Sequence, residues 1–283
     1  MSERFFFPRP LKTSLADIVA CTGAAVADGA DLSAVIRGVA PIDEAGLGEL
    51  TFFDLSQDIA LLETSKAAAC FIAPLHAPLV PHTTLALVVD EPSLGMARAL
   101  RLLFPQTTRP HSLFDTAGIN PGASIHPEAR LEQDVIVDPG AVIGPSVEIG
   151  SGSIIGANSV IGADVRIGRS CLISPHVTIS HALIGDRVIL HPGVRVGQLG
   201  ILCGKAGVSG TGRVIIQDGV EVGANSTIDR GLLSDTVLGE ETKIANLVEI
   251  AANATLGRFC TIPSQARVQG GARLADFFSG SPG

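Results

Sequence analysis

An aliphatic residue returns at every sixth position through the middle of this chain of 283 residues. A six-residue aliphatic period is typical of a parallel β-helix, in which each repeat supplies one short strand and one turn. Three repeats complete a triangular coil, and stacked coils bury one another's apolar faces. The pattern therefore predicts a prism with an aliphatic interior. Its uninterrupted series comprises Ile119, Ile125, Leu131, Val137, Ile143, Ile149, Ile155, Ile161, Ile167, Ile173 and Ile179.

The repeat has two large interruptions further along the chain. The first is Gly-rich and occupies residues 197–213, and the second is a ten-residue step that ends at Leu238. A coil of fixed size cannot absorb such insertions, so we expect both to leave the prism as loops, where binding sites are often built. Gly, Asn, Asp and Ser beside the aliphatic positions suit turns, and we expect them to allow positive φ. The later repeat positions are Ile184, Leu190, Val196, Ile216, Val222, Ile228, Leu238, Ile244, Ile250, Leu256, Ile262, Val268 and Leu274.

The N-terminal third lacks this period, and predicted strands alternate there with predicted helices, which indicates a small α/β domain. A Pro- and Thr-rich stretch then reads as a linker. We therefore divide the chain into an α/β domain over 1–104, a linker over 105–115 and a parallel β-helix over 116–283. The predicted N-terminal elements are a capped helix over 14–23, strands over 48–53, 70–73 and 84–89, and helices over 60–69 and 92–103.

Composition excludes several classes of function. The net charge of −8 argues against a protein that binds nucleic acid by neutralising phosphates. The sequence contains no apolar run of about 20 residues, so we expect no transmembrane segment. Its five cysteines are scattered and form no C-x-x-C pair, and no H-x-H or HExxH pattern occurs. We expect a reduced, cytoplasmic protein without a metal site.

Two segments, 183–200 and 212–258, carry a resemblance to a known family, and the string Ile228-Asp229-Arg230-Gly231 is its most specific part. The chain resembles UDP-3-O-acylglucosamine N-acyltransferase, an enzyme family of lipid A biosynthesis. The resemblance implies a left-handed β-helix, a homotrimer with active sites between neighbouring prisms, and an N-terminal domain that binds uridine. It also implies transfer of a 3-hydroxyacyl chain from acyl carrier protein to the 2-amine of the UDP-sugar, with no cofactor beyond the carrier thioester.

The sequence departs from the family motif I-D-N-x-x-Q-I-A-H-N. Ala252 occupies the position of the family's catalytic histidine, and Ala245 replaces the acidic residue. Glu249 replaces the glutamine, whereas Asn246 and Asn253 are retained. Alanine cannot accept a proton, and loss of a general base typically costs about 10²–10⁴-fold in rate. The resemblance also leads us to expect further C-terminal coils and a helical tail beyond Gly283, the last residue of this sequence.

The resemblance assigns roles to the residues that match the family motifs. His181 and His191 are weak substitutes for the missing base, because a histidine is the usual base near neutral pH. Phe52 and Phe53 are the expected nucleotide-stacking side chains, with core packing an equal alternative. The expected substrate contacts are Asn246, Asn253, Glu249, Asp229 and Arg230.

Three functions remain open on the sequence. The first is the N-acyltransferase reaction with a different base. The second is a catalytically inactive or repurposed trimeric paralogue, which Ala252 favours. The third is a different hexapeptide acyltransferase that uses CoA. Ligand binding distinguishes them, because the first needs a UDP-sugar and acyl carrier protein, the second needs at most one of these, and the third needs CoA.

Overall fold

The computed structural model describes residues 10–54, 57–105, 112–199 and 210–281. The chain divides into two compact units, residues 1–110 and 111–283, and this division falls within the range that the sequence predicts as a linker. No helix in the described part of the chain has the length and hydropathy needed to cross a bilayer.

The first unit is a small α/β structure. Its strands β3 to β6 form a parallel sheet in the order β3-β4-β5-β6, and β1 pairs with β2 in an antiparallel ribbon. The elements are β1 Thr13–Ser14, α1 Leu15–Thr22, β2 Val35–Ile36, β3 Gly38–Val39, β4 Glu49–Phe52, α2 Ile59–Glu63, β5 Ala69–Ile72, a 3-10 helix Pro74–Leu79, β6 Leu85–Val88 and α3 Pro92–Leu103.

Local sequence signals explain where the first helix begins and ends. The Oγ of Ser14 accepts a hydrogen bond from the backbone N of Asp17, and Gly23 closes the helix with φ of 72°. The helix predicted over 60–69 is too long, because α2 ends at Glu63. Beyond it, the Oγ of Ser65 accepts a hydrogen bond from the backbone N of Ala67, which makes a turn that leads into β5.

The strands of the second unit form three parallel sheets, which are the faces of a prism. Face 1 contains β7 Ser124–Ile125, β10 Val142–Ile143, β13 Val160–Ile161, β16 Thr178–Ile179, β19 Arg195–Leu199, β22 Thr227–Arg230, β25 Glu249–Ile250 and β28 Arg267–Val268. Face 2 contains β8 Arg130–Leu131, β11 Glu148–Ile149, β14 Arg166–Ile167, β17 Ala182–Ile184, β20 Val214–Ile216, β23 Thr236–Leu238, β26 Thr255–Leu256 and β29 Arg273–Leu274. Face 3 contains β9 Ile136–Val137, β12 Ile154–Ile155, β15 Leu172–Ile173, β18 Ile189–Leu190, β21 Glu221–Val222, β24 Lys243–Ile244 and β27 Thr261–Ile262.

The prism confirms the prediction of an α/β unit followed by a parallel β-helix. The aliphatic residues of the six-residue period form one continuous cluster, which is buried along most of its length and partly buried at its ends. Ile119 is the exception to the prediction, because it lies before the first complete coil and is 54% exposed. A regular coil takes 18 residues, so that Val142 pairs with Val160 on the next coil. We call the turns from face 1 to face 2 the first corner, those from face 2 to face 3 the second corner, and those from face 3 to face 1 the third corner.

The glycines that follow the aliphatic positions have a different purpose from the one predicted. Neither Gly150 nor Gly223 has a left-handed φ. A Cβ on Gly150 would lie 2.6 Å from the carbonyl carbon of Gly168, and one on Gly223 would lie 2.4 Å from that of Ala245. These glycines are therefore required by the close stacking of coils. Left-handed φ occurs at other turn residues, for example Asn253 at 64°.

Candidate active site

The first corner collects most of the candidate residues. His181 lies there after β16, and the excursion between β19 and β20 leaves the prism one coil later. The next coil carries the short excursion over 231–235, and the coil after that carries Ala252 and Asn253. This long excursion is the Gly-rich loop predicted over 197–213, and its residues 200–209 lie outside the described part of the chain.

The two excursions contact each other at the first corner. Nη1 of Arg230 donates a hydrogen bond of 2.7 Å to the carbonyl of Gly210. The backbone N of Thr211 donates one of 2.7 Å to the carbonyl of Leu232. Arg230, at the end of β22, therefore connects the end of the long excursion to the strand that precedes the short excursion.

Asn253 shapes the short excursion from the following coil. Its Oδ1 accepts hydrogen bonds of 3.0 Å from the backbone N of Leu232 and from the Oγ of Ser234. Its own backbone N donates to the Oγ1 of Thr236 at 2.9 Å. The side-chain oxygen of Asn253 is therefore committed to holding this loop, and a role in substrate binding stays a prediction.

Ala252 is 9% exposed and lies on the same turn as Asn253. Its carbonyl accepts a hydrogen bond of 3.0 Å from the backbone N of Gly271 on the next coil. The methyl side chain offers neither a proton acceptor nor a hydrogen-bonding group at this position. Any base for chemistry at the first corner must therefore come from another residue.

A buried polar pair lies one coil before Ala252. Asp229, at the end of β22, is 8% exposed, and its Oδ1 accepts a hydrogen bond of 2.9 Å from Nε2 of Gln198. Burial raises the pKa of the Asp229 carboxyl, and the negative charge of Glu249 raises it further. Glu249 itself forms an ion pair of 3.3 Å with Arg267 on the next strand of face 1.

His181 is exposed at the first corner, with φ of 49°. Partial burial of its ring and the nearby charge of Arg230 lower the pKa of His181. Three strand spacings separate its coil from that of Ala252, which is about 14 Å along the prism. His181 is therefore too far along the prism to replace the family's histidine at position 252.

His191 and Asn246 lie at the third corner, and within one chain they are separate from the first-corner residues. Nε2 of His191 lies 2.8 Å from Oε1 of Glu221. Burial raises the pKa of Glu221, but the hydrogen bond with His191 and the charge of Lys243 outweigh it and leave this pKa below its ordinary value. Oδ1 of Asn246 accepts a hydrogen bond of 2.8 Å from the backbone N of Ala224, which ties two coils together.

The two phenylalanines predicted to stack on a nucleotide have different environments. Phe53 is 2% exposed and packs in a small core with Leu62, and its ring meets that of His76 edge-on at 5.5 Å. Phe52 is half-buried and packs against the main core of the first unit. Phe53 is thus a core side chain here, whereas Phe52 is only partly buried.

Sequence reasoning did not find the pairing of Asp229 with Gln198. The two residues are 31 positions apart and meet because β19 and β22 are neighbours on face 1. The register shifts between Val196 and Gln198, so the six-residue period does not predict which side chains face each other beyond that point. Among the described residues, no group of three or more His, Cys, Asp or Glu side chains could hold a metal ion.

Both units match models of known families. Residues 33–102 match the model described as UDP-3-O-(3-hydroxymyristoyl) glucosamine N-acyltransferase, LpxD. Residues 128–163 match the bacterial transferase hexapeptide model of six repeats. The second match confirms the hexapeptide-repeat form of the β-helix.

Several relatives match over nearly the whole chain. The UDP-3-O-acylglucosamine N-acyltransferase of Methylobacterium nodulans is 51% identical over 282 residues, which cover 98% of this chain and 80% of the relative. The protein of the same name from Azorhizobium caulinodans is 49% identical over 274 residues, with coverage of 95% and 77%. Among solved structures, LpxA from Bacteroides fragilis, a UDP-N-acetylglucosamine acyltransferase, is 20% identical with a TM-score of 0.42, covering 53% of this chain and 66% of that one.

Proposed function

Since the chain belongs to the UDP-3-O-acylglucosamine N-acyltransferase family, we propose that it transfers a 3-hydroxyacyl chain from acyl carrier protein to the 2-amine of UDP-3-O-acylglucosamine. The proposal includes a role for this reaction in lipid A biosynthesis and a location in the cytoplasm. The observation that carries the proposal is an identity of about half with enzymes of this name over 98% of the chain.

The reaction needs two groups from the protein, a base and a group that stabilises an oxyanion. The amine nitrogen attacks the thioester carbon, so that an N–C bond forms, the C–S bond breaks and the nitrogen loses a proton. A base must accept this proton, which can then pass to the departing thiolate. A positive or hydrogen-bonding group must stabilise the oxyanion of the tetrahedral intermediate. Arg230 supplies positive charge at the first corner, beside both excursions.

The outer surface of face 3 supports association into a homotrimer. Four successive outward positions there are aliphatic and half-buried: Ile136, Ile154, Leu172 and Ile189. An apolar row of this kind favours side-by-side packing of prisms. In such a trimer, third-corner residues such as Asn246 and His191 can line a groove together with the first corner of a neighbouring chain.

The first unit is proposed to bind the uridine of the substrate, with Phe52 as the stacking residue. The donor is proposed to be the carrier-protein thioester, without a further cofactor. The carrier protein and the UDP-sugar are both polar, soluble molecules, which is consistent with a cytoplasmic reaction.

Ala252 favours one alternative, a non-catalytic paralogue that retains the fold and part of the binding surface. A prism that stacks correctly does not require the catalytic histidine, because position 252 contacts the next coil through its backbone. This alternative predicts binding of one substrate, or of neither, without turnover.

A turnover assay tests the proposal directly. Purified protein is incubated with UDP-3-O-acylglucosamine and 3-hydroxyacyl carrier protein, and the diacylated product is followed by mass spectrometry. We expect product from the wild-type chain, and more product from an Ala252→His variant, since it restores an imidazole at the family position. Replacing the carrier thioester with the CoA thioester distinguishes the third function, because only a CoA-dependent enzyme prefers it.

Two outcomes would contradict the proposal. Product from Ala252→His but none from the wild type would identify a chain that binds both substrates and lacks the base. Absence of product from both, with normal folding by circular dichroism, would indicate a repurposed protein.

A further inference from the structure

One carboxyl group at the first corner has the properties of a base that the family motif does not supply. Asp229 is buried, and its Oδ1 accepts a hydrogen bond from the neutral amide of Gln198. A buried carboxylate is costly unless it is paired and hydrogen-bonded. The chain nevertheless keeps this carboxyl next to two surface excursions and away from the aliphatic interior.

The groups that face Asp229 lie on both neighbouring strands, and only one of these strands contributes a charge. Glu249 on β25 faces it from one side, and Arg267 on β28 neutralises part of the Glu249 charge across 3.3 Å. Gln198 on β19 faces it from the other side and is neutral. Arg230 follows it on β22 but donates to the carbonyl of Gly210, and the charge of Arg230 acts on His181.

Asp229 lies close along the prism to Ala252, the position at which the family has its catalytic histidine. β22 and β25 are neighbouring strands in the register Ile228 to Ile250, so they lie about 4.8 Å apart. Asp229 directly follows Ile228, and Ala252 comes two residues after Ile250. Asp229 is thus one strand spacing from the strand that leads to Ala252, whereas His181 is three spacings away.

We propose that Asp229 is the general base of this chain, oriented by Gln198. The assignment rests on the proposed function. In the step, the carboxylate accepts a proton from the sugar amine as the N–C bond forms, and returns it to the sulfur of the carrier thiol as the C–S bond breaks. Gln198 is a positioning residue, because its amide holds one carboxylate oxygen and leaves the other for the proton.

The environment suits this role. An ordinary aspartate is a weak base at neutral pH, since its carboxylate binds a proton only in acid. Burial and the negative charge of Glu249 raise the pKa of Asp229, which strengthens it as a proton acceptor. The hydrogen bond from Gln198 lowers this pKa and limits the effect.

The first test removes the base while keeping its shape. We expect Asp229→Asn to lower kcat by about 10²–10⁴-fold with little change in KM, since the amide fills the same space but accepts no proton. Asp276→Asn is the matched control, because Asp276 is an exposed carboxylate that pairs with Arg258 at the second corner. We expect the control to retain wild-type kcat.

The second test moves the pH profile in opposite directions and leaves Asp229 intact. The wild-type rate is expected to rise with pH as the Asp229 carboxyl loses its proton. Glu249→Gln removes a charge that raises this pKa, so the rise should move to lower pH. Gln198→Ala removes a hydrogen bond that lowers the pKa, so the rise should move to higher pH. A purely structural role for these residues would change kcat without moving the profile in opposite directions.

The outcomes separate this assignment from the function on which it rests. An inactive wild type contradicts the proposed function, and the assignment is then withdrawn with it. An active wild type with an equally active Asp229→Asn variant overturns the assignment alone. If Asp229→Asn fails to fold, the pH profiles of the other two variants decide, and two unmoved profiles overturn the assignment.

Discussion

At the scale of single residues, the first corner shows how one side chain can organise a loop. Asn253 combines a left-handed backbone, with φ of 64°, and an oxygen that accepts two hydrogen bonds from the 231–235 excursion. Asparagine tolerates this conformation better than most residues because its short polar side chain bonds locally. The same residue therefore sets both the path of the turn and the shape of the neighbouring excursion.

Two substitutions separate these roles of Asn253. Both Asn253→Gly and Asn253→Ala remove the two hydrogen bonds, so we expect faster hydrogen exchange over 231–235 in each. The Ala variant should also lose about 1–2 kcal/mol of stability relative to the Gly variant, because only glycine adopts the left-handed φ without strain. Hydrogen-exchange mass spectrometry and denaturant unfolding measure the two effects.

Asn246→Ala is the control for this experiment. Its side chain bonds to the backbone of Ala224 at the third corner, so exchange over 231–235 should not change. Equal stability of the Gly and Ala variants at 253 would contradict the role given to the left-handed turn.

The sequence predicts residues of the candidate site unevenly. Ala252 is visible by comparison with a family motif, because motif positions are contiguous in the chain. The contact between Asp229 and Gln198 is not, since it depends on which strands are neighbours and on a register shift at Val196. The burial of Phe53 is likewise decided by packing against α2, which a strand pattern does not reveal.

At the scale of elements, the close approach of successive coils limits what can follow each strand. Gly156 and Gly162 lie on successive turns of the same prism and differ in available space. A Cβ at Gly156 would lie 2.6 Å from the backbone N of Pro175, whereas one at Gly162 would lie 3.3 Å from the carbonyl of Ile179. The first distance requires the backbone to shift, and the second requires a movement of a few tenths of an ångström.

These two glycines give a graded test of coil stacking. We expect Gly156→Ala to destabilise the protein by about 1–3 kcal/mol through overpacking. Gly162→Ala should change stability by less than about 1 kcal/mol, because reduced freedom of the unfolded chain offsets a mild contact. Urea unfolding followed by circular dichroism measures both, and equal effects would contradict the stacking explanation.

The elements themselves follow from the sequence to different degrees. The strands of the prism are predictable because every strand repeats one aliphatic pattern. Helix α3 begins and ends where the sequence predicts, at Pro92 and Leu103. Helix α2 is shorter than predicted, since the turn at Ser65 competes with helix formation.

At the scale of the whole molecule, the two units have separate buried cores, and each contains a buried thiol. Cys70 lies in the first unit, where burial raises its pKa to about 12. Cys171 lies in the prism, where burial raises its pKa to about 11. Cys21 is exposed. Because the thiolate is the reactive form, the thiols of Cys70 and Cys171 are protected both sterically and chemically.

Thiol labelling at rising urea concentration can therefore follow each unit. We expect iodoacetamide at pH 8 to label Cys21 in the native protein, and Cys70 and Cys171 only after their own unit unfolds. Peptide mass spectrometry resolves the sites. Labelling of Cys70 and Cys171 at one common urea midpoint would show that the units unfold together, contrary to this expectation.

The irregular coils of the prism have a consequence for folding fidelity. Nearly every inward position holds an interchangeable aliphatic side chain, so a strand mispaired by one whole coil would still bury its Ile, Leu or Val. Regular 18-residue coils, such as the one from Val142 to Val160, do not prevent this mispairing, because every such coil has the same length. Two irregular coils do prevent it: the coil from Arg166 to Leu183 has 17 residues, and the coil from Ile216 to Leu238 has 22. A strand mispaired by one coil would place these lengths opposite coils of a different length. The shortened coil and the coil lengthened by the 231–235 excursion therefore also fix the register of the solenoid.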